Sequence, residues 1–586
     1  MSSKPVYRST HIKPASAAKL AAALVLLAAL LAAQVPPSAQ ASGAILFVAT
    51  GGMTYGSCNS WLNACNLEYA IGISGAGDQL WVKQGTYEPL GSRNDSFTLK
   101  TAVAIYGGFR GDESLLAQRN PARYPSILSG DIGIAGDASD NSYHVVNASG
   151  TDSTAVLDGF TITHGNANGT NPADQGAGIY DLSGNGASLD NLIVTANSAT
   201  YEGGGMYAEA NGPALRNVTF SDNAAALGGG MANISGYAGL ENVTFSGNSA
   251  VDGGGMYNSA DTALLDYVTF SGNSVSASGG GLYCSNCNTA IYDSIFWNDG
   301  SEFVFAGSTI PTITDSLVAG GCPPFSTCVN VIGSDPLLGP LANNGGFTPT
   351  MALAAGSPAI DTGGPDAGCI LVDQRGVSRP QGPHCDMGAY EAPVTVTYRS
   401  SGAQDGWVLE SAETSGMGGS LNSTTGPLIL GDDTTNRQYR SVLSFATAAL
   451  PDNAMISSVT LKLKYASVSP PASNPITLLK GILLDVRTGF FGSSPNLQLG
   501  DFQAAGTTST GPFMPALSAG YYSLQLGSGS FAAINKLSSN GGLTQIRLRF
   551  KLDDNNDLVA NTLNLVSGNN ANPSNRPALI IVYTTP

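Results

Sequence analysis

The chain has 586 residues, of which 42% are apolar, 11% are charged and 74 are glycine. So much apolar surface with so little charge excludes an intrinsically disordered chain and predicts a folded, β-rich protein of several domains. The formal net charge of −17 excludes nucleic acid and anionic membranes as partners, because an acidic surface repels both.

Residues 1–41 predict a secretory signal peptide. Basic residues precede an apolar run from Leu20 to Ala33, and the small residues from Ala39 to Ala41 predict cleavage after Ala41. An uncleaved anchor helix is the alternative, although 14 apolar residues span a bilayer poorly. No later segment is apolar enough to cross a membrane, and no cysteine for lipid attachment follows the cleavage site. We therefore expect an exported protein that is extracellular or held at the cell surface.

A capping helix is predicted ahead of the first strands. The stretch from Trp61 to Ile73 has apolar residues at helical spacing, namely Leu62, Leu67, Ala70 and Ile71. A short amphipathic helix at this point would cover the first coil of a strand stack, which would otherwise expose its core.

Two sequence markers then recur with the same step. The pattern Phe-x-x-Asn and the run Gly-Gly-Gly both repeat every 25 residues, and both lengthen to 26 at the last step. The glycine runs begin at Gly203, Gly228, Gly253 and Gly279. Two markers that change step together indicate one repeated structural unit.

The repeat predicts a right-handed parallel β-helix with about 25 residues per coil, because its apolar runs are short, alternating and separated by glycine. Stacked coils would form an interior aromatic column of Phe220, Phe245, Phe270 and Phe296. They would also form an amide column of Asn197, Asn223, Asn248 and Asn273. We place the capped β-helix at 44–334.

The repeats resemble those of chlamydial polymorphic outer-membrane proteins and of related bacterial β-helix proteins. The segment 335–391, with "DPLLGPLANNGGFTPTMALAAGSPAIDTG" and "DQRGVSRPQGPHCDMGAYE", resembles the choice-of-anchor segment that often ends such β-helices. This resemblance implies a surface or secreted protein whose relatives rarely have an assigned activity. The chain departs from the outer-membrane proteins because it does not end in strands typical of a membrane barrel.

Residues 394–586 predict a second all-β domain. Strand-like alternation at 440–450, 457–466, 544–552 and 577–584, with Gly, Ser and Asn turns, is typical of an antiparallel, jelly-roll-like sandwich. The stretches "YRSVLSF", "LPDNAMISSVTLKLKY" and "NRPALIIVYT" resemble the DNRLRE-type domains, which are similar to carbohydrate-binding modules. That resemblance implies glycan binding.

Eight cysteines fall into four close pairs and predict four local disulfides in an oxidising compartment. The pairs are Cys58 with Cys65, Cys284 with Cys287, Cys322 with Cys328, and Cys369 with Cys385. The Cys284-x-x-Cys287 pair leaves two alternatives open, a redox pair and half of a zinc site.

A catalytic β-helix would need a basic side chain beside a carboxylate, or two or three suitably spaced carboxylates. Arg216 is the single Lys or Arg between Ser126 and Gly346. Glu241 and Asp266 stand at its position in the following repeats, which favours a solvated residue of the coil. No catalytic residue is therefore predicted.

Two loops of the second domain, 431–436 and 551–558, predict a structural calcium site, since oxygen-rich loops suit Ca²⁺. The candidate ligands are Asp432, Asp433, Asp553, Asp554, Asn556 and Asp557. Ordinary Asp-Asn turn chemistry is the alternative. A third acidic segment, 130–144, reads instead as an exposed insertion, because its spacing fits no calcium loop.

Tyr207, Tyr257 and Tyr283 follow the glycine runs, where alternation points them outward. A column of exposed tyrosines would suit contact with sugar rings, and a plain surface filler is the alternative. Together these features predict a non-enzymatic adhesin or glycan-binding protein, whose partner is a polysaccharide or surface glycan. The alternatives are a polysaccharide lyase or glycoside hydrolase of the pectin-lyase type and a purely structural envelope component.

Overall fold

The computed structural model of the protein describes residues 43–210, 212–260, 262–307, 310–364, 368–424, 426–537 and 540–586. The signal peptide predicted for 1–41 lies outside the described residues. The chain divides into two compact units, with the boundary between Ala392 and Pro393. Among the described residues, no helix is long and apolar enough to cross a membrane.

Sheet A is the largest of three parallel sheets in the first unit. Its strands are β1 (Ile45–Met53), β2 (Gln79–Lys83), β3 (Gly85–Tyr87), β5 (Ala104–Phe109), β6 (Ser126–Ser129), β8 (Val156–Thr163), β11 (Ser188–Thr195), β14 (Ala214–Ser221), β16 (Gly239–Ser246), β19 (Leu264–Asp266), β20 (Thr269–Ser271), β23 (Ala290–Tyr292), β24 (Ile295–Trp297), β26 (Thr312–Val318) and β27 (Thr327–Ile332). Two short strands replace one long strand in the coils of β19 with β20 and of β23 with β24.

Sheets B and C complete the coils. Sheet B contains β4 (Phe97–Thr98), β7 (Val146–Asn147), β10 (Ile179–Leu182), β13 (Met206–Glu209), β15 (Met231–Ile234), β18 (Met256–Ser259), β22 (Leu282–Ser285) and β25 (Phe303–Ala306). Sheet C contains β9 (Asn166–Ala167), β12 (Ser198–Ala199), β17 (Ser249–Asp252) and β21 (Ser274–Ser278). Strands of successive coils pair in parallel, as β13 does with β15 and β14 with β16, so the first unit is a parallel β-helix, as the repeat predicted.

The predicted aromatic column lies inside the coils. Phe220, Phe245, Phe270 and Phe296 are fully buried. Their ring centroids stack at successive distances of 4.9, 4.5 and 4.5 Å. These distances match the rung spacing of a sheet, about 4.8 Å, so strand pairing itself holds the rings in contact.

The predicted amide column is a continuous hydrogen-bonded ladder. The Asn223 Nδ2 donates to Asn248 Oδ1 at 3.0 Å, and the Asn223 backbone N donates to the same oxygen at 3.1 Å. The Asn248 Nδ2 donates in the same way to Asn273 Oδ1 at 2.9 Å. The ladder ends on Asp299, whose Oδ1 accepts from Asn273 Nδ2 at 3.0 Å. Each side chain thus satisfies a backbone N–H at a buried bend.

The glycine runs mark a left-handed bend in every coil. Gly203, Gly228, Gly253 and Gly279 have φ between +65° and +71°. A Cβ at Gly228 would lie 2.3 Å from the carbonyl oxygen of Met231, so glycine is required there, as predicted.

A second bend interrupts the strands of sheet A and was not predicted. Asn191, Asn217 and Asn242 adopt left-handed φ values of 50°, 56° and 54°. Their side chains form another ladder, since Asn217 Nδ2 donates to Asn191 Oδ1 at 3.2 Å and Asn242 Nδ2 donates to Asn217 Oδ1 at 3.3 Å.

The predicted N-terminal cap is present, but it consists of two helices. A 3₁₀ turn covers Trp61–Asn63, and an α-helix covers Leu67–Ile73. The side chain of Asn66 caps the α-helix, which buries Leu67, Ala70 and Ile71 against the core. The expectation for Leu62 is wrong, because its side chain is 92% exposed. The helical conformation is interrupted after Asn63, and the 3₁₀ turn directs Leu62 to solvent.

All four predicted disulfides are present: Cys58–Cys65, Cys284–Cys287, Cys322–Cys328 and Cys369–Cys385.

Two more elements belong to the described part of the first unit. A 3₁₀ turn covers Leu116–Gln118, and an antiparallel hairpin joins β28 (Leu338–Ala342) and β29 (Thr350–Leu353).

The second unit is an antiparallel sheet that curls into two layers. Layer 1 contains β30 (Val394–Arg399), β41 (Ala578–Thr584), β38 (Tyr521–Gln525) and the first part of β35 (Met455–Ser469). Layer 2 contains β31 (Gly406–Glu410), β32 (Gly418–Asn422), β33 (Leu428–Asp432), β34 (Gln438–Ala446), β36 (Ile482–Thr488), β37 (Thr508–Phe513), β39 (Leu543–Phe550), β40 (Thr562–Leu565) and the end of β35. Short helices cover Pro475–Leu478, Leu499–Phe502, Ser528–Ala533, Asn540–Gly542 and Pro573–Asn575.

One hydrophobic core joins the two layers. Leu461 and Leu579 from layer 1 share a buried cluster with Phe445, Leu484 and Leu548 from layer 2. Side chains of two sheet faces that interdigitate in this way define a β-sandwich, so the predicted fold class is confirmed for both units.

Candidate functional site

The tyrosines singled out in the sequence lie in one column on the outer face of sheet B. Tyr180, Tyr207, Ala232, Tyr257 and Tyr283 pair rung by rung across successive strands. The residues that precede them in the strands, including Met206 and Met256, are buried in the core. The predicted outward direction of the column follows from this alternation.

The tyrosines of this column differ in exposure. Tyr207 is only 3% exposed, because its ring stacks on Tyr180 with centroids 5.6 Å apart and its hydroxyl donates to Glu209 Oε2 at 2.7 Å. The expected exposure is therefore wrong for Tyr207. Tyr257 and Tyr283 are half-buried and stack with centroids 5.2 Å apart.

Stacking decides what these rings can offer a ligand. Tyr257 and Tyr283 cover the facing sides of each other's rings, so those sides cannot contact a ligand. The ring edges and hydroxyl groups remain available for contact. Ser259 and Ser285 form the next register pair on the same face. Burial and the neighbouring Tyr283 raise the pKa of Tyr257, while the two serine hydroxyls lower it. The result is a face of neutral hydroxyl groups on an aromatic base.

The outer face of sheet A carries a charged column. Asp158, Asp190, Arg216, Glu241 and Asp266 occupy the same register in successive strands. The Arg216 Nη1 lies 3.6 Å from Asp190 Oδ1, so Arg216 is a strand residue in an ion pair. Its interpretation as a solvated residue of the coil holds only in part, since about a third of its side chain is exposed.

Burial governs the protonation of this charged column. It raises the pKa of Asp190, an effect that Ser188 and Arg216 oppose. It also raises the pKa of Glu241, and Arg216 again opposes it. A carboxyl group with a raised pKa beside a guanidinium is one element of an acid catalyst.

Next to this column, the segment 335–391 packs on sheet A. The Gln374 side chain connects two threonines, because its Nε2 donates to Thr219 Oγ1 at 2.8 Å and its Oε1 accepts from Thr244 Oγ1 at 2.6 Å. The backbone N of Ala389 donates to Thr269 Oγ1 at 3.0 Å. The threonine side of sheet A is thus covered by the chain itself.

Buried ionic contacts lock the segment in place. The Arg379 Nη1 lies 2.8 Å from Glu391 Oε2, with both side chains fully buried, and its guanidinium lies 4.3 Å from the Tyr267 ring centroid. Burial and the neighbouring Glu391 raise the pKa of Asp386 to about 7. The segment 335–391 thus supplies structural contacts at this position.

In the second unit, the fold brings together the two loops of the predicted calcium site. The Asn561 backbone N donates to Asp432 Oδ1 at 2.8 Å, and the Leu558 backbone N donates to Asn436 Oδ1 at 3.2 Å. The Asp432 Oδ2 is buried without a hydrogen-bond partner. Burial raises the pKa of Asp432 to about 6.

The other candidate ligands make turn contacts or remain open to solvent. The carboxylate of Asp433 lies 2.6 Å from the guanidinium of Arg437. Burial raises the pKa of Asp433, but hydrogen bonds from Arg437 and Thr435 outweigh it and lower the pKa to about 2. Asp554 and Asp557 accept from the backbone of Asn556 and Val559, and Asp553 and Asn556 are exposed. Within the described ranges, no group of three or more His, Cys, Asp or Glu side chains is placed to hold a metal ion.

The second unit also assembles a cationic surface that sequence reasoning missed. Lys462 and Lys464 on β35 lie over the ring of Tyr521 on β38, with Nζ atoms 4.6 and 5.6 Å from its centroid. The Lys-x-Lys spacing within a strand was the available signal. Its meaning depends on a strand that lies 57 residues further along the chain and was not predicted.

One family model matches part of the first unit. The Chlamydia polymorphic membrane protein repeat matches residues 267–285, in the coil of β19 to β22. This confirms the resemblance of the repeats over that coil. No curated protein matches the chain.

Solved structures with likeness to the chain include a pectate lyase and two phage tailspikes. Pectate lyase Pel9A is 14% identical with a TM-score of 0.34, covering 60% of this chain and 98% of its own. Tailspike gp49 from Acinetobacter baumannii bacteriophage Fri1, a capsular polysaccharide depolymerase, is 10% identical with a TM-score of 0.22, covering 89% and 81%. Tailspike protein 2 from Escherichia coli O157:H7 bacteriophage CAB120 is 10% identical with a TM-score of 0.19, covering 89% and 70%.

Proposed function

We propose that this is an exported, non-catalytic protein that binds polysaccharide through the outer face of its β-helix. The observation that carries the proposal is the pair Tyr257 and Tyr283 on sheet B, stacked and half-buried beside Ser259 and Ser285. Aromatic rings with hydroxyl groups contact sugars by packing and by neutral hydrogen bonds, and neither requires a charged ligand.

Export is supported by the cysteines. In the residues that the structure describes, every cysteine belongs to a disulfide, which is typical of an oxidising compartment. The signal peptide predicted for 1–41 fits the same location. The similarity of the repeats to a membrane-protein repeat of Chlamydia also favours a place at the cell exterior.

Repetition along the coils suits weak multivalent contact. A polysaccharide that runs along the β-helix axis would meet the tyrosine and serine pairs of two adjacent rungs, Tyr257 with Ser259 and Tyr283 with Ser285, about 4.8 Å apart. Linked weak contacts raise the overall affinity without any tight single site.

The test uses the double variant Tyr257→Ala/Tyr283→Ala against a panel of soluble polysaccharides. We expect the intact protein to bind at least one neutral polysaccharide and the double variant to lose about tenfold in affinity. Tyr55→Ala is the matched control, because Tyr55 is 68% exposed and far from sheet B in the sequence. Equal loss in the control, or no loss in the double variant, would remove the tyrosine face from the proposal.

The rival function is polysaccharide cleavage. The charged column of sheet A favours it, since Arg216 forms an ion pair with Asp190 and lies in register with Glu241. If the protein shortens a polysaccharide and Arg216→Ala or Glu241→Gln abolishes this activity, the protein is an enzyme. The molar mass of the polysaccharide after incubation with the protein decides between the two functions.

The structural calcium in the second unit stays a proposal. The unpartnered Asp432 Oδ2 supports it, whereas the ion pair of Asp433 reduces the ligands available. We expect calcium to raise the melting temperature of the second unit and Asp432→Ala to abolish that rise. A melting temperature that ignores calcium and chelator alike would remove calcium from the account.

A further inference from the structure

The outer face of layer 1 in the second unit carries three cations, Arg399, Lys462 and Lys464. Arg399, Ala578, Lys462 and Ser523 pair in register across the four strands of this layer. Lys464 pairs with Tyr521 one step further along. The alternate residues of these strands, including Leu461 and Leu579, are buried in the core, so the row faces away from it.

A side-chain amide oxygen and two backbone carbonyls hold Lys464, Arg399 and the neighbouring Arg576 in place. The Lys464 Nζ donates to Asn575 Oδ1 at 2.6 Å. The Arg399 Nη1 donates to the Arg576 carbonyl oxygen at 3.1 Å, and the Arg576 Nε donates to the Asn570 carbonyl oxygen at 2.8 Å. Within the part of the chain that the structure describes, none of the ion pairs involves Arg399, Lys462, Lys464 or Arg576.

The ring of Tyr521 lies beneath the ammonium groups of the two lysines, at the start of β38. Its hydroxyl donates to the Ser574 carbonyl oxygen at 3.3 Å, which fixes the ring on the surface. Tyr521 is half-buried, and exposed Ser523 and Gln525 continue the same face along β38. The face therefore combines unpaired cations, an aromatic ring and neutral hydrogen-bonding groups.

The surroundings make these cations unusual for this chain. Residues 43–392 contain nine Lys and Arg against 31 Asp and Glu, whereas residues 393–586 contain twelve against eleven. A cationic face without carboxylate partners, on a chain that is otherwise acidic, is available for an anionic ligand.

We infer that this face binds an anionic polysaccharide, with acidic groups of successive sugar units on Lys462, Lys464 and Arg399, and with the Tyr521 ring supporting the two lysine ammonium groups. The inference rests on the proposed function and adds a second site with its own substrate class. Carboxylate and sulfate groups both meet the requirement, because each accepts charge-assisted hydrogen bonds from ammonium and guanidinium groups. The flat strand surface suits an extended polymer rather than a small buried ligand.

The experiment is isothermal titration calorimetry of the intact protein with polygalacturonate, with its neutral methyl ester, and with a sulfated glucan. We expect binding to at least one polyanion, weaker binding to the neutral ester, and loss of affinity as NaCl is raised. Lys462→Ser/Lys464→Ser should weaken polyanion binding by about tenfold or more. Lys480→Ser/Lys551→Ser is the matched control, since it removes the same charge at two other exposed lysines of the unit.

Tyrosine variants sharpen the assignment. Tyr521→Phe keeps the ring and should retain binding, while Tyr521→Ala should lose about fivefold. Equal loss in the two lysine pairs, equal affinity for the neutral ester, or no binding to either polyanion would overturn the inference. A loss confined to Tyr257→Ala/Tyr283→Ala would refute this face and leave the proposed function standing. A loss confined to Lys462→Ser/Lys464→Ser would refute the sheet B site and leave the cationic face standing.

Discussion

The two units achieve stability by different kinds of contact. In the β-helix, the main contacts join residues about 25 positions apart, as Phe220 with Phe245 and Asn223 with Asn248 do. In the sandwich, the first strand pairs with the last, so that Val394 lies opposite Tyr583. In a stack of near neighbours, stability is approximately a sum over coils and the interfaces between them.

The difference shows where function can be placed in each unit. The β-helix repeats register positions along its axis, so adjacent rungs such as those of Tyr257 and Tyr283 offer weak contacts of the same kind. The sandwich collects residues from distant parts of the sequence, so it can concentrate cations on one face. A substitution in one unit can be judged against the unchanged other unit of the same protein. Differential scanning calorimetry follows the two unfolding transitions.

The largest expected effect comes from a buried ion pair. Arg379→Met leaves Glu391 buried without its partner and should lower the free energy of unfolding of the β-helix unit by about 4 kcal/mol. Arg547→Met should cost the sandwich less, because Arg549 still pairs with Asp485 at 3.0 Å. If either substitution shifts both transitions equally, the two units do not unfold independently and the comparison fails.

A smaller effect is expected from cavities in the two cores. Phe245→Ala should lower the free energy of unfolding of the β-helix unit by about 3 to 4 kcal/mol, because both neighbouring rings lose a stacking partner. Phe445→Ala should cost the sandwich a similar amount, since Phe445 is also fully buried. Phe325→Ala is the control, because Phe325 is 85% exposed and should leave both transitions unchanged.

The amide ladders should separate a buried column from a partly exposed one. Asn248→Ala removes the acceptor of the Asn223 backbone N and should cost about 2 to 3 kcal/mol. Asn217→Gly keeps a left-handed bend in the outer column and should cost less than about 1 kcal/mol. Equal costs would mean that burial does not decide the value of these ladders.

The smallest expected effect is a pH dependence of the sandwich. Burial raises the pKa of Asp405 from 3.8 to about 7. Between these values the unfolded state has lost its proton while the folded state keeps it, so stability falls as pH rises. We expect a loss of about 2 kcal/mol between pH 5 and pH 7. Asp405→Asn should reduce this slope by the contribution of Asp405, and the exposed control Asp452→Asn should leave it unchanged.

The period of the sequence was enough to predict the β-helix. A fixed step of 25 residues aligns Phe245 with Phe270 and Asn248 with Asn273 in any parallel stack, so these columns follow from counting. The burial of Tyr207 did not follow, because an outward direction says nothing about stacking on the neighbouring rung. The segment around Gln374 packs on threonines more than 100 residues away, and no local pattern contains that register.

The candidate sites followed the same division. Tyr257 and Tyr283 were predicted because they belong to the repeat. The face of Lys462 and Tyr521 was missed because the order of strands in a sandwich is not written in the periodicity of the chain. Residue columns built on repeats are therefore accessible from this sequence, while faces built on distant strand pairs require the structure.

The most direct test of the central claim is the length of a bound polysaccharide. The intact protein would be incubated with each polysaccharide that it binds, and the molar mass of the polymer would be measured by size-exclusion chromatography with light scattering. The account predicts a bound polymer whose molar mass does not change over prolonged incubation. A fall in molar mass that depends on the protein and disappears in Arg216→Ala would contradict the account and identify the β-helix as an enzyme.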